Sequence, residues 1–265
     1  MWFHKSIKLE QFTYLFTFMI SAIAIIAFQS DRYQKVKTQI ENPDYLQQEK
    51  VSLTALNLRK LTPSFGFDNL MADSIYLQFV QYFGDETARK ATGYSLVPQY
   101  FAAIAKHDPQ FTAAYLTLAT ANSMYAGKAE ETVSLIDRVL QTSPTKTKNS
   151  HLLWTVKAID ETIFLGDIDA AKHSYLTAAQ LASQQNSDRV VEAVSYNRQK
   201  AQFLASEPDT TEAQIIAWKS VLPHVVKEHE RQVIRDRVFA LEAKLAKRKS
   251  LPFLPLRRSF PANLE

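Results

Sequence analysis

Cysteine is absent from the 265-residue chain. Disulfides, thiolate zinc sites and cysteine nucleophiles are thereby excluded. Glycine is scarce, at 5 residues. Nucleotide-binding α/β folds need glycine where backbone meets phosphate, so that class is disfavoured. A helical protein loses nothing, because interior glycine weakens a helix. The chain also lacks a zinc-protease helix motif, a serine-elbow motif and a phosphate-binding glycine loop. His224 and His229 are five residues apart. That spacing turns them ~140° apart on a helix, where metal ligands want one face. His107, His151 and His173 stand apart with no carboxylate motif. No cofactor, no metal site and no catalytic residue is therefore expected, and the chain does not read as an enzyme.

What is present is apolar surface and a basic end. Hydrophobic residues make up 46% of the chain, enough for one sizeable core or two small ones. The formal charge is +4, but residues from 227 onward carry +5 and the remainder −1. Lys244, Lys247, Arg248, Lys249, Arg257 and Arg258 make that end basic. It lacks base-stacking aromatics and a nucleic-acid fold, so no nucleic acid is expected. Anionic lipid or a membrane complex suits it better, and a solvated helix end is the plain alternative.

Residues 11–30 carry no charge, and their apolar heart runs over 12–28, between Phe12 and Phe28. Twenty helical residues reach ~30 Å, the thickness of a bilayer's hydrocarbon core. The expectation is a single-pass anchor over 1–30 in a plasma or thylakoid membrane, with Trp2, Tyr14 and Tyr33 at the interfaces. A short basic leader favours the domain on the periplasmic or lumenal side. A cleaved signal peptide is the rival reading, for which Gln29 is a poor residue. A buried helix is the third.

A polar neck with one helix fills 31–62, a helical repeat domain 63–249, and a proline-rich extended tail 250–265. The repeat domain opens on Pro63 and Gly66, with Asp68 or Asn69 as a helix cap and Gly84 as the stop. Leu70, Ile75, Leu77, Phe79, Val80 and Phe83 nearly encircle that helix, which predicts packing on several sides. Helices follow over 94–107, 111–125, 130–141, 151–165 and 169–183. Tight glycine turns alternate with proline or polar breaks, the rhythm of an α-hairpin array. Residues 187–204 and 211–222 predict a further hairpin, and a last helix over 224–249 predicts a cap. The fold class is all-α, a helical-hairpin solenoid.

Gly127 to Pro144, with Leu116 upstream, resembles the tetratricopeptide repeat. So does Gly166, Asp167 and Ile168 followed by Ala171, Tyr175 and Ala178. The resemblance covers about 96–185. It departs at Thr120 and Ile159, where the repeat has a small residue, and in a glycine spacing of 39 against the usual ~34. The stretch from Phe65 to Leu70, with Ala72, Asp73 and Gln81 to Asp85, resembles the opening segment of membrane-anchored tetratricopeptide proteins of cyanobacteria and other bacteria. That resemblance implies an anchored scaffold that binds a protein or helps assemble a membrane complex. It implies no reaction.

Asp73 lies off the polar stripe of its helix, so it is expected buried, as a structural lock paired with Arg59, Lys60, Arg89 or a helix N-terminus. The aromatics of the first repeats read mainly as core. Tyr76, Tyr82, Tyr100 and Tyr115 are the candidates for a partner groove. In the tail, Phe253, Leu254, Arg257 and Arg258 suit an extended strand laid on a partner's surface, with a clasp on the chain's own array as the alternative. Two other functions remain open: a helical enzyme or enzyme subunit built from dispersed residues, and a secreted peptide-binding module.

Overall fold

The computed structural model describes residues 9–41, 43–142, 149–185 and 190–250. All its regular elements are helical. The chain divides into two units, Met1–Gln48 and Glu49–Glu265.

The first unit is dominated by α1 (Leu9–Glu41), a helix of 33 residues. The anchor expectation is corrected here: among the described residues, no helix is long and apolar enough to cross a membrane. The apolar heart is 17 residues, interrupted by Thr13, Thr17 and Ser21. Helix α1 then runs on without a break through Gln29, Ser30 and Arg32. A span wants ~20 predominantly apolar residues, and this interrupted heart falls short of that count. The single-pass topology and membrane address fall with it.

Next comes α2 (Tyr45–Leu61), whose Leu56 is buried in the core of the second unit. Then follow α3 (Asp68–Gly84), α4 (Glu86–Thr92), α5 (Val97–His107) and α6 (Thr112–Thr120). Helix α3 packs on α5. Their interface buries Ile75, Phe79, Phe101 and Ile104, with Tyr115 and Leu118 from α6. Gly84 does end α3. Its cap differs from expectation: Phe67 holds the N-cap position with no side-chain hydrogen bond. The Asp68 carboxylate sits 3.3 Å from His107 Nδ1 instead.

The array continues through α7 (Ala129–Thr142), α8 (Ser150–Asp160), α9 (Ile168–Ser183) and α10 (Val190–Ala205). Helix α9 packs against both α8 and α10, and α8 against α7 and α6, in a solenoid-like succession. Asp167 caps α9 by accepting from Ala170 N–H at 3.0 Å. Helices α11 (Thr211–Val221) and α12 (Glu228–Ser250) pack on each other. The expected hairpin of α10 with α11 is thus replaced: α10 pairs with α9, and α11 with α12. Trp218 of α11 donates from Nε1 to Phe164 O at 3.1 Å, and Arg237 of α12 lies 4.4 Å over the Trp218 ring. This joins the last pair to the array.

Candidate functional site

Two places in the second unit gather polar side chains. The first is a seam where two hairpins meet. Helix α6 runs into a π turn over Ala121–Tyr125, and α8 into another over Glu161–Leu165. Each turn closes at a left-handed glycine, Gly127 at φ 69° and Gly166 at φ 68°. L-residues avoid that region, so glycine is the residue for both turns. Lys128 N–H reaches back to Asn122 O at 3.0 Å, and Asp167 N–H to Glu161 O at 2.9 Å. A π turn inserts an extra residue and re-aims the side chains around it. Asn122, Ser123, Asp160 and Glu161 are all buried beside these turns.

Their polar atoms meet. Ser123 Oγ lies 2.5 Å from Asp160 Oδ2 and 2.9 Å from Thr132 Oγ1. Asn122 Nδ2 donates to Thr132 Oγ1 at 3.0 Å. Lys157 Nζ lies 2.8 Å from Asp137 Oδ1 and 3.2 Å from Glu161 Oε1. Burial pushes the Asp160 carboxyl up to about 7, against the Ser123 hydroxyl and with the help of the Glu161 charge. Burial also holds Glu161 above the usual carboxylate range, against the pull of Lys157. A raised acid beside a serine has the makings of a catalytic pair. Ser123, however, is 1% exposed, and neither residue lines the groove between α8, α9 and α10. The seam is therefore a polar weld between α6–α7 and α8–α9.

The second place is open. A groove of ≈ 850 Å³ lies between α8, the end of α9 and α10. At its floor Thr155 Oγ1 lies 2.9 Å from Asn197 Oδ1, and Asn197 Nδ2 donates to Ala193 O at 2.8 Å. This bridge ties α8 to α10. His151, 9% exposed, lines the groove, and its Nδ1 is buried with no hydrogen-bond partner. Burial keeps the ring's pKa below the ordinary histidine value, so the imidazole is neutral at neutral pH. Tyr196 presents an exposed ring, held edge-on to Tyr175 at 6.4 Å. The described lining has amides, hydroxyls and the Glu192 carboxylate, and includes no lysine or arginine. Such walls suit the alternating donors and acceptors of a polypeptide and not a phosphate.

The residues expected from sequence lie elsewhere. Tyr82, Tyr100 and Tyr115 are core, at 9%, 4% and 0% exposure. The Tyr82 hydroxyl accepts from Leu96 N–H at 3.2 Å, and Arg89 lies 3.6 Å over its ring. Tyr115 donates to Asp108 O. None of the three can line a partner groove. Tyr76 is half-buried, its hydroxyl 3.3 Å from Thr117 Oγ1. Asp73 is exposed and makes no ion pair among the described residues, so it is not a buried lock. The core side of α3 belongs to Ala72, Ile75, Phe79 and Tyr82, and position 73 turns ~100° away from Ala72. Phe253, Leu254, Arg257 and Arg258 lie outside the described residues.

Sequence reasoning passed over Thr155, Asn197 and Asp160, and set His151 aside as an isolated histidine. Thr155 and Asn197 are 42 residues apart and share no motif. Only the packing of α8 and α10 on α9 brings them together. Among described residues, no group of histidines and carboxylates could hold a metal ion. The chain matches no protein-family model, no curated protein and no solved structure.

Proposed function

We propose that the chain is a helical scaffold that holds an extended segment of a partner protein in the groove between α8, α9 and α10. It binds and does not transform what it binds. One observation carries the reading: a ≈ 850 Å³ groove lined by amides and hydroxyls and floored by the Thr155–Asn197 bridge. Tyr196 offers a rigid aromatic surface at the rim, the kind of side chain that dominates binding energy at interfaces.

On this reading the array is a run of tetratricopeptide-like hairpins with α12 as its terminal cap. Two left-handed glycines 39 residues apart, each after a π turn and each before a helix, support the repeat. The apolar stripe of Ile234, Val238, Leu241 and Leu245, packed under α11, supports the cap.

The test selects peptides from a random library against the full chain and measures their affinity by calorimetry. Tyr196→Asp and Gln199→Lys, both exposed, should weaken selected peptides at least about tenfold while leaving the fold intact. Peptides that bind those variants as tightly as the parent would place the binding site elsewhere.

A further inference from the structure

At its opening end, the second unit leaves one layer of helices uncovered. On α2 the buried Leu56 faces the core, while Val51, Leu58 and Leu61 are 59–82% exposed on the opposite side. On α3, Ile75 and Phe79 face the same core, while Leu70, Leu77 and Val80 are 48–65% exposed on the opposite side. The connection between them exposes Phe65 and Phe67. His107 joins the two helices into one layer: Nε2 lies 3.2 Å from Arg59 O at the end of α2, and Nδ1 3.3 Å from Asp68 at the start of α3.

The area is large. Eight mainly exposed side chains contribute on the order of 100 Å² each, or ~800 Å². Contiguous apolar patches on a monomer run to ~300–600 Å². A stable interface takes ~800 Å² from each partner.

The charges choose the occupant. Asp73 sits within the apolar stripe of α3, exposed and with no ion pair among the described residues. At ~100° per residue, Lys50 borders the α2 stripe on one side, and the half-buried Arg59 lies ~100° beyond Leu58 on the other. Their side chains likewise make no ion pair among the described residues. The layer thus carries unpaired acid on one helix and unpaired base on the other. A surface with both signs on separate stripes is complementary to itself under a two-fold rotation. We propose that this layer is a self-association face: α2 of one chain lies on α3 of a second copy, with Asp73 of each set among the Lys50 and Arg59 of the other. The inference does not depend on the groove between α8 and α10, which lies at different helices.

The full chain tests this by sedimentation equilibrium, with thermal melts of each variant as a folding control. The parent should dimerise. Leu58→Ser combined with Leu77→Ser should yield monomer. Asp73→Lys alone, and Lys50→Glu with Arg59→Glu alone, each set like charges together and should raise the dissociation constant roughly ten- to a hundredfold. Mixed one to one, the two charge variants should form a heterodimer close to parental affinity, read with two different tags. A chain that is monomeric throughout would overturn the proposal. So would an oligomer indifferent to every substitution, which would put self-association on another surface. So would a mixture that fails to recover, or a stoichiometric partner of different sequence that covers this face on a monomeric chain.

Discussion

The two halves of the helical array are closed by different physics. Between α3 and α6 the interior is aromatic and aliphatic, with Phe79 ringed by Tyr76, Phe83 and Tyr100 at 5.7–6.2 Å. Between α6 and α9 a polar seam of Ser123, Thr132, Lys157, Asp160 and Glu161 is buried among apolar residues such as Leu135, Ile136, Val139 and Leu153. The hairpin geometry is similar in both. One half is held by area removed from water. The other adds buried donors, acceptors and charges, of which Asn122 Oδ1 and Glu161 Oε2 are left without a hydrogen-bond partner, and a missing partner costs more than a present one contributes. The Phe79 cluster should therefore respond mainly to volume, and the Asp160 seam to pH as well.

The largest expected effect is on the dry side. Phe79→Ala removes a fully buried ring and should lower stability by ~3–5 kcal/mol in denaturant unfolding. The loss should be the same at pH 5 and pH 8. A loss that changed by more than ~1 kcal/mol between them would mean the dry core is coupled to a titrating group, and the contrast would fail.

Asp160 carries the opposite expectation. Its folded pKa is about 7 against a reference of 3.8. The folded state therefore keeps a proton that the unfolded state has released, and stability falls as pH rises between those values. Three units correspond to ~4 kcal/mol, complete by about pH 7. Asp160→Asn keeps a neutral side chain and should abolish this share of the fall. The variant should match the parent near pH 4 and exceed it increasingly up to pH 7. His151, held below its ordinary value, pulls the opposite way in acid, but it is common to both proteins. Parallel stability curves for parent and variant would show that Asp160 does not titrate in this range.

The two glycine turns of the seam carry the contrast between hydrocarbon and polar neighbours to a smaller scale. A Cβ on Gly127 would come within 2.9 Å of Val221 Cγ1 and 3.2 Å of Ile234 Cδ1, in packed hydrocarbon. A Cβ on Gly166 would meet the end of Gln214, a side chain able to swing aside. Both substitutions strain a left-handed backbone. Gly127→Ala should cost roughly 2–3 kcal/mol and Gly166→Ala roughly 1–2, read from urea midpoints. The reverse order would mean that the polar turn is the more tightly packed.

The array was legible because its punctuation is local. Gly84, Gly127 and Gly166 stand in the sequence where helices end in space, and the last helix shows its stripe in Ile234, Val238, Leu241 and Leu245. Short α4 and the two π turns were not legible, since nothing in local periodicity marks them. The groove was illegible for a different reason. Its floor joins Thr155 to Asn197 through a third helix, so no spacing along the chain encodes it. Asp160 did leave a trace: it sits between Ala158 and Phe164, both buried, on a helix that runs into a glycine turn. The apolar wrap of α3 misled in the other direction. Leu70, Leu77 and Val80 looked like core and are exposed, which turned Asp73 into an apparent buried acid.

Asp73 gives the smallest expected effect and the most direct comparison with Asp160. Both are carboxylates on helices of the same array. Asp160 is 5% exposed and welded to Ser123, whereas Asp73 is exposed on the side of α3 away from Phe79. An exposed carboxylate with water for a partner contributes little to folding, so Asp73→Ala should shift monomer stability by less than ~0.5 kcal/mol at any pH between 5 and 8. The measurement has to be made at concentrations below those at which chains associate. Association stabilises the folded state by mass action, and removing Asp73 would then register as a loss of partner and not of fold. A loss above ~1.5 kcal/mol in dilute monomer would require Asp73 to have a hidden partner in its own chain. The core around Phe79 would then rest on a third polar contact beside Arg89 over Tyr82 and His107 against Asp68, and the division between a core held mainly by area and a seam held by polar contacts would not stand.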